Sequence, residues 1–142
     1  MRITVADYWM GRDALYPEDC TLEVKANAEK TVQLVNSLLA VMEAEGMKFE
    51  AHPVSQSLVS SGWRPPQINR QVKGAAPKSK HMTGEAVDLY DPEGEIDNFL
   101  MSGHGLRVLS SLGLYIEHPS ATKSWSHIQI VPPRSGARVF YP

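Results

Sequence analysis

The chain has 142 residues, with 14 Lys plus Arg against 16 Asp plus Glu, five His and one Cys. A formal net charge of −2 and the lack of any long Lys/Arg run exclude a phosphate-tracking surface, so nucleic acid is not an expected partner. The single Cys20 excludes an internal disulfide, a thiolate zinc site and a dithiol redox motif, which leaves His, Asp and Glu as the side chains able to hold a metal.

The length suits one self-sufficient core, and a single domain over residues 1–142 is expected. Residues 1–10 carry Arg2 and Asp7 and lack the continuous apolar stretch of a signal peptide. No segment approaches membrane-spanning length, so a soluble product made in the cytoplasm, without membrane insertion, is expected.

In chain order, Val24, Ala28, Val32, Val35, Leu39 and Met42 recur at spacings of four, four, three, four and three, which predicts an amphipathic helix over 21–45 closed by Gly46. Residues 53–61 read as a short strand. The stretch 62–84, with Pro65, Pro66, Gly74 and Pro77, reads as a long irregular loop, a length that in a compact domain usually serves function. Residues 86–90 predict a strand, stopped by Asp91, Pro92 and Gly94 as a turn. Residues 95–112 read as helix broken near Gly103 and Gly105, and 114–117 and 126–131 as two further strands. This order predicts an α+β domain, with helices packed on a small antiparallel sheet.

The segment from Ser79 to Asp88 places His81 and Asp88 seven positions apart where loop becomes strand. A bend at Gly84 would turn both toward one point, and His127 on the last apolar strand would supply a second nitrogen. Zinc accepts two imidazoles and one carboxylate at about 2.0–2.2 Å, and a catalytic zinc keeps a fourth position for water, whose pKa it lowers. On spacing alone the same residues also read as a turn carboxylate and a half-buried strand histidine.

The text around them resembles a known family. Ser61-Gly62-Trp63-Arg64, Asn69, the run Ser79-Lys80-His81-Met82-Thr83-Gly84-Glu85-Ala86-Val87-Asp88 and the later Trp125-Ser126-His127-Ile128-Gln129 are similar to the zinc D-Ala-D-Ala carboxypeptidases and L-alanyl-D-glutamate endopeptidases that cleave peptidoglycan stem peptides. Their pattern is an SGxR turn, an SxHxxGxAxD segment and a late His on a strand. The resemblance implies the hedgehog/DD-peptidase fold, one Zn2+ held by His81, Asp88 and His127, and Arg64 facing the substrate, where a planar guanidinium suits a carboxylate. Ser79 is expected to hydrogen-bond substrate or brace the loop. It also implies a phage or prophage cell-wall enzyme, released through a lysis pore or carried in a virion.

The chain departs from the family at one point. Several members carry an acid three positions before the last His as general base, and here that position is Ser124, whose hydroxyl is far too weak a base. The nearest upstream acid, Glu117, ends the strand expected to pair with that of His127, so Glu117 is the nominated base, with Glu85 second. The alternative is a binding or structural module that keeps the metal site without hydrolysis. His52, His104 and His118 are expected in surface or capping roles, and Trp63 and Trp125 as site walls or core.

Overall fold

A computed structural model describes residues 2–142; Met1, the first residue of the expected domain, lies outside the described residues. In chain order the elements are α1 (Val5–Trp9), α2 (Arg12–Leu15), α3 (Leu22–Ala44), β1 (Val59–Ser61), α4 (Pro66–Gln71), β2 (Ala86–Tyr90), α5 (Glu95–Met101), α6 (Gly103–Leu112), β3 (Tyr115–Glu117), a 3-10 turn Pro119–Ala121, β4 (Trp125–Gln129) and β5 (Val139–Phe140). The architecture is α+β, with one five-stranded sheet in the order β1-β2-β4-β3-β5.

The stripe that predicted α3 is buried throughout, and Thr31 and Leu38 widen it. Leu38, Leu39 and Met42 are fully buried, and each such side chain contributes about 1.5–3 kcal/mol by leaving water. Strand β2 spans the predicted residues. Asp91, read as a turn residue, also caps α5, its two carboxylate oxygens accepting from the backbone N–H groups of Ile96 and Asp97 at 3.0 Å each. The helix over 95–112 breaks at Ser102, whose hydroxyl caps α6 by accepting from Gly105 N–H at 3.0 Å.

Three expectations need correction, and two helices add to the predicted elements. The sheet is not wholly antiparallel, because β5 runs parallel to β3. The strand over 53–61 shrinks to β1, since His52 organises the preceding residues as a turn, its Nδ1 accepting from Val54 N–H at 3.1 Å. The loop 62–84 contains α4, which begins on Pro66, whose fixed φ suits a first helical position. Within that loop Asn69 Nδ2 donates to the Ala76 carbonyl at 2.9 Å and gathers the chain beyond α4. Finally, α1 and α2 were not anticipated, being too short to show a helical period; α1 is nonetheless signalled by a capping box of Thr4 and Asp7.

Alternation along the strands separates two faces. Val87, Leu89, Ile116 and Ile128 join the core with the helices, while Asp88, His127 and Glu117 point to the other side. Tyr8 ties the amino-terminal segment to the sheet by donating its hydroxyl hydrogen to the Ala86 carbonyl at 2.7 Å.

Candidate metal centre

Antiparallel register places Asp88 of β2 opposite His127 of β4, and the β3–β4 register, continued one residue, sets Glu117 opposite His127. Phe140 follows as the partner of Glu117 on β5. One row across four strands therefore carries a carboxylate, an imidazole, a second carboxylate and an aromatic ring.

His81 enters this row from the loop. The bend at Gly84 has φ +82°, and a Cβ there would meet the Val24 carbonyl oxygen of α3 at 2.8 Å, so glycine is needed for both conformation and space. Two side chains of α3 hold the bend: Thr31 donates to the Gly84 carbonyl at 2.8 Å and Asn27 to the Thr83 carbonyl at 2.9 Å. Ser79 braces the approach by accepting from His81 N–H at 3.2 Å.

His81 Nε2 lies 3.2 Å and His127 Nδ1 2.9 Å from the same Asp88 oxygen. Among the described residues these three form the one His/Cys/Asp/Glu cluster with ligand atoms within 4.8 Å of one another. The remaining ring nitrogens fix the tautomers. His81 Nδ1 is 2.8 Å from the Gly62 carbonyl, which only accepts, so Nδ1 carries the hydrogen. His127 Nε2 is 2.9 Å from Gln129 Oε1, an oxygen left as acceptor because Gln129 Nε2 donates to the Val131 carbonyl at 2.9 Å. Neutral His81 and His127 therefore aim lone pairs at a carboxylate oxygen, an arrangement that calls for a cation between them. The donor set of two nitrogens and one carboxylate oxygen fits a metal ion, and Gln129 and Gly62 supply the outer hydrogen bonds that orient its imidazoles.

With no cation between them, Asp88 and the two imidazoles can satisfy one another only by sharing a proton, and each group shifts accordingly. Burial pushes the His81 imidazole down, against the pull of Asp88. Burial would lower His127 as well, but its hydrogen bond to Asp88, the charge of Asp88 and the Gln129 contact raise it. Burial would raise Asp88, yet the charge of His81 and the two imidazole hydrogen bonds hold it well below the usual carboxylate range. Glu117 is raised by burial, with Asp88 adding to the rise and His127 opposing it.

Arg64, Ser79, Glu117 and the three clustered residues all line a cavity of about 480 Å³. Glu85 does not line it, which leaves Glu117 as the free carboxylate beside the cluster. Arg64 donates its backbone N–H to the His81 carbonyl at 3.1 Å, and its buried Nε finds no partner among the described residues. Trp63 is core, its Nε1 donating to the Met82 carbonyl at 3.0 Å, whereas Trp125 lines the cavity. His104 pairs with Glu45, and His118 caps its own turn through Ser120 and stacks on Tyr141. Ser124 contributes no acid, only a carbonyl that accepts from Asp91 N–H at 2.9 Å.

A family model, described as Peptidase M15, matches residues 14–116, well over half of the chain. The chain belongs to the Peptidase M15 family. Membership makes it a peptidase with a peptide substrate, and the His-Asp-His cluster is a site able to bind the metal that M15 enzymes use. The matched stretch ends one residue before Glu117; strand register is what brings His127 and Glu117 to the site. The comparison with curated proteins gave no match, and neither did that with solved structures. Gln129 ends the last sequence motif with no role that the motif assigns, and its place two residues after His127 on one strand puts it on the same face.

Proposed function

We propose that this protein is a zinc metallopeptidase that cleaves peptidoglycan stem peptides, of the D-Ala-D-Ala carboxypeptidase or L-Ala-D-Glu endopeptidase type. His81 through Nε2, His127 through Nδ1 and Asp88 through a carboxylate oxygen hold the ion. The observation that carries this reading is the set of electron pairs converging on one point, with a half-buried carboxylate beside it in the sheet row. A zinc ion bound there supplies a water of lowered pKa and a Lewis acid for the scissile carbonyl.

The chain's own groups do the rest. Glu117 takes the proton of the attacking water and passes it to the leaving amine nitrogen, the role for which Ser124 has no base to offer. Arg64 anchors a substrate carboxylate, for which its unpaired guanidinium is suited. Ser79 keeps His81 in place through its hydroxyl.

The test is metal analysis of the purified protein followed by incubation with purified peptidoglycan. One zinc per chain and release of new amino groups are expected. Zinc bound with no amine released would overturn the peptidase reading in favour of an inactive module of the same fold.

A further inference from the structure

A second cavity, of about 310 Å³, shares Arg64 and Asp88 with the first and opens toward β1 and α2. The two cavities thus form one cleft with the metal cluster near its middle. Arg64 is 8 % exposed, and its guanidinium makes no hydrogen bond or ion pair with any described residue. Arg12 lines the same second cavity. One of its nitrogens, Nη1, donates to the Trp63 carbonyl at 2.9 Å, which ties the group to that backbone, and no described carboxylate pairs with it.

Two cations that share a cavity repel, and here burial and the charge of Arg64 both weigh against charge on Arg12. Asp88, the one acid that bears on Arg64, is already committed to two imidazoles. Ser60 and Ser61, at the end of β1, add hydroxyls to the lining. An arrangement of two partly desolvated guanidinium groups with donors left over is completed by an anion with two oxygens, since each guanidinium presents a fork of N–H groups.

We propose that Arg12 joins Arg64 in a two-arginine carboxylate subsite, which binds a carboxylate of the peptide on the β1 side of the metal cluster. This proposal rests on the peptidase reading for the identity of the ligand. It adds a residue of α2 to the site and directs the carboxylate end of the substrate into the smaller cavity. The carboxylate comes either from the peptide's own C-terminus or from the α-carboxylate of a γ-linked D-glutamate.

The experiment uses the full zinc-loaded chain carrying Glu117→Gln, so that turnover is blocked, alone and combined with Arg12→Gln or Arg12→Lys. Three probes are titrated by calorimetry: N-acetyl-D-alanyl-D-alanine, its C-terminal amide, and N-acetyl-L-alanyl-γ-D-glutamyl-L-lysine amide. Arg12→Gln is expected to weaken binding of at least one carboxylate probe by about 10- to 100-fold, with partial recovery in Arg12→Lys and no change for the amide of the first probe. Which carboxylate probe responds identifies the source. Equal affinities in the Glu117→Gln chain with and without Arg12→Gln, for both carboxylate probes, would overturn the subsite.

Because Arg12 also braces Trp63, a second measurement avoids substitution at Arg12 altogether. In the 15N spectrum, the responsive probe is expected to move the Nε–H signals of both Arg12 and Arg64; movement of Arg64 alone would overturn the proposal. A chain that hydrolyses no peptidoglycan yet binds the probe through Arg12 would remove the peptidase reading and leave the subsite standing.

Discussion

His81 and His127 reach the same oxygen of Asp88 from different kinds of backbone. His81 comes from a loop, and its ring is oriented by a main-chain carbonyl, that of Gly62. His127 comes from a central strand, and its ring is oriented by a side chain, Gln129, itself held by the Val131 carbonyl. The backbone around His81 is irregular, so the ring borrows rigidity from four contacts: Thr31, Asn27, Ser79 and Gly62. The strand fixes position through the sheet ladder and leaves ring orientation to one replaceable amide.

The largest test of this contrast removes the loop ligand. His81→Ala is expected to abolish stoichiometric zinc binding, whereas His104→Ala, at the exposed pair with Glu45, leaves it intact. Bound metal after dialysis reads the result, and one retained zinc per chain in His81→Ala would remove the ligand assignment.

The strand half also carries the proposed base. Glu117→Gln is expected to lower kcat on peptidoglycan by roughly 100- to 10,000-fold while zinc content stays at one per chain. Undiminished turnover would dismiss Glu117 and leave the metal cluster untouched.

The asymmetry itself is probed at Gln129. Gln129→Leu is expected to weaken zinc affinity by roughly 10- to 100-fold, the usual consequence of removing an outer hydrogen bond to a ligating imidazole. In 15N spectra of the metal-free chain, His127 should then lose its single tautomer while His81 keeps Nδ1 protonated. If both rings respond alike, the two ligands are not independently oriented.

The smallest effect concerns how the hairpin of β3 and β4 is anchored. Burial raises the Asp97 carboxyl from its ordinary 3.8 to about 6, with Thr122 of the hairpin loop donating to it at 3.0 Å. A raised folded value means that the native chain binds the proton more tightly than the unfolded chain. This group's contribution is therefore most favourable below the unfolded value and falls as pH climbs toward 6. Asp97→Asn is expected to stabilise the protein by about 1–2 kcal/mol near neutral pH and by close to nothing near pH 4, read by denaturant unfolding.

The same contrast governs what the sequence reveals. The stripe of α3, the strand β2 and the bend at Gly84 are local patterns, and each is readable within a few residues. The meeting of His81 with Asp88 follows from that bend, and Glu117 is reachable because a hairpin brings its strand beside that of His127. The parts that escape are short or distant. Helix α4 has too few residues to show a period, and β5 pairs two residues in parallel across more than twenty intervening positions. Arg12 meets Arg64 only after α2 docks beside Trp63, 51 residues away in the chain. Gln129 was within reach of a period-two reading but carries no chemistry of its own to draw attention.

Gly62 links the amino-terminal segment to the His81 imidazole. A Cβ there would lie 2.0 Å from the Tyr8 carbonyl oxygen, so only hydrogen lets the amino-terminal segment pass. The same Tyr8 carbonyl accepts from Trp63 N–H, while the Gly62 carbonyl aims His81. Tyr8 also reaches across 78 residues to Ala86, closing the loop that contains both contacts. One peptide plane, that of Gly62 and Trp63, thus holds the amino-terminal segment through its N–H and aims His81 through its carbonyl.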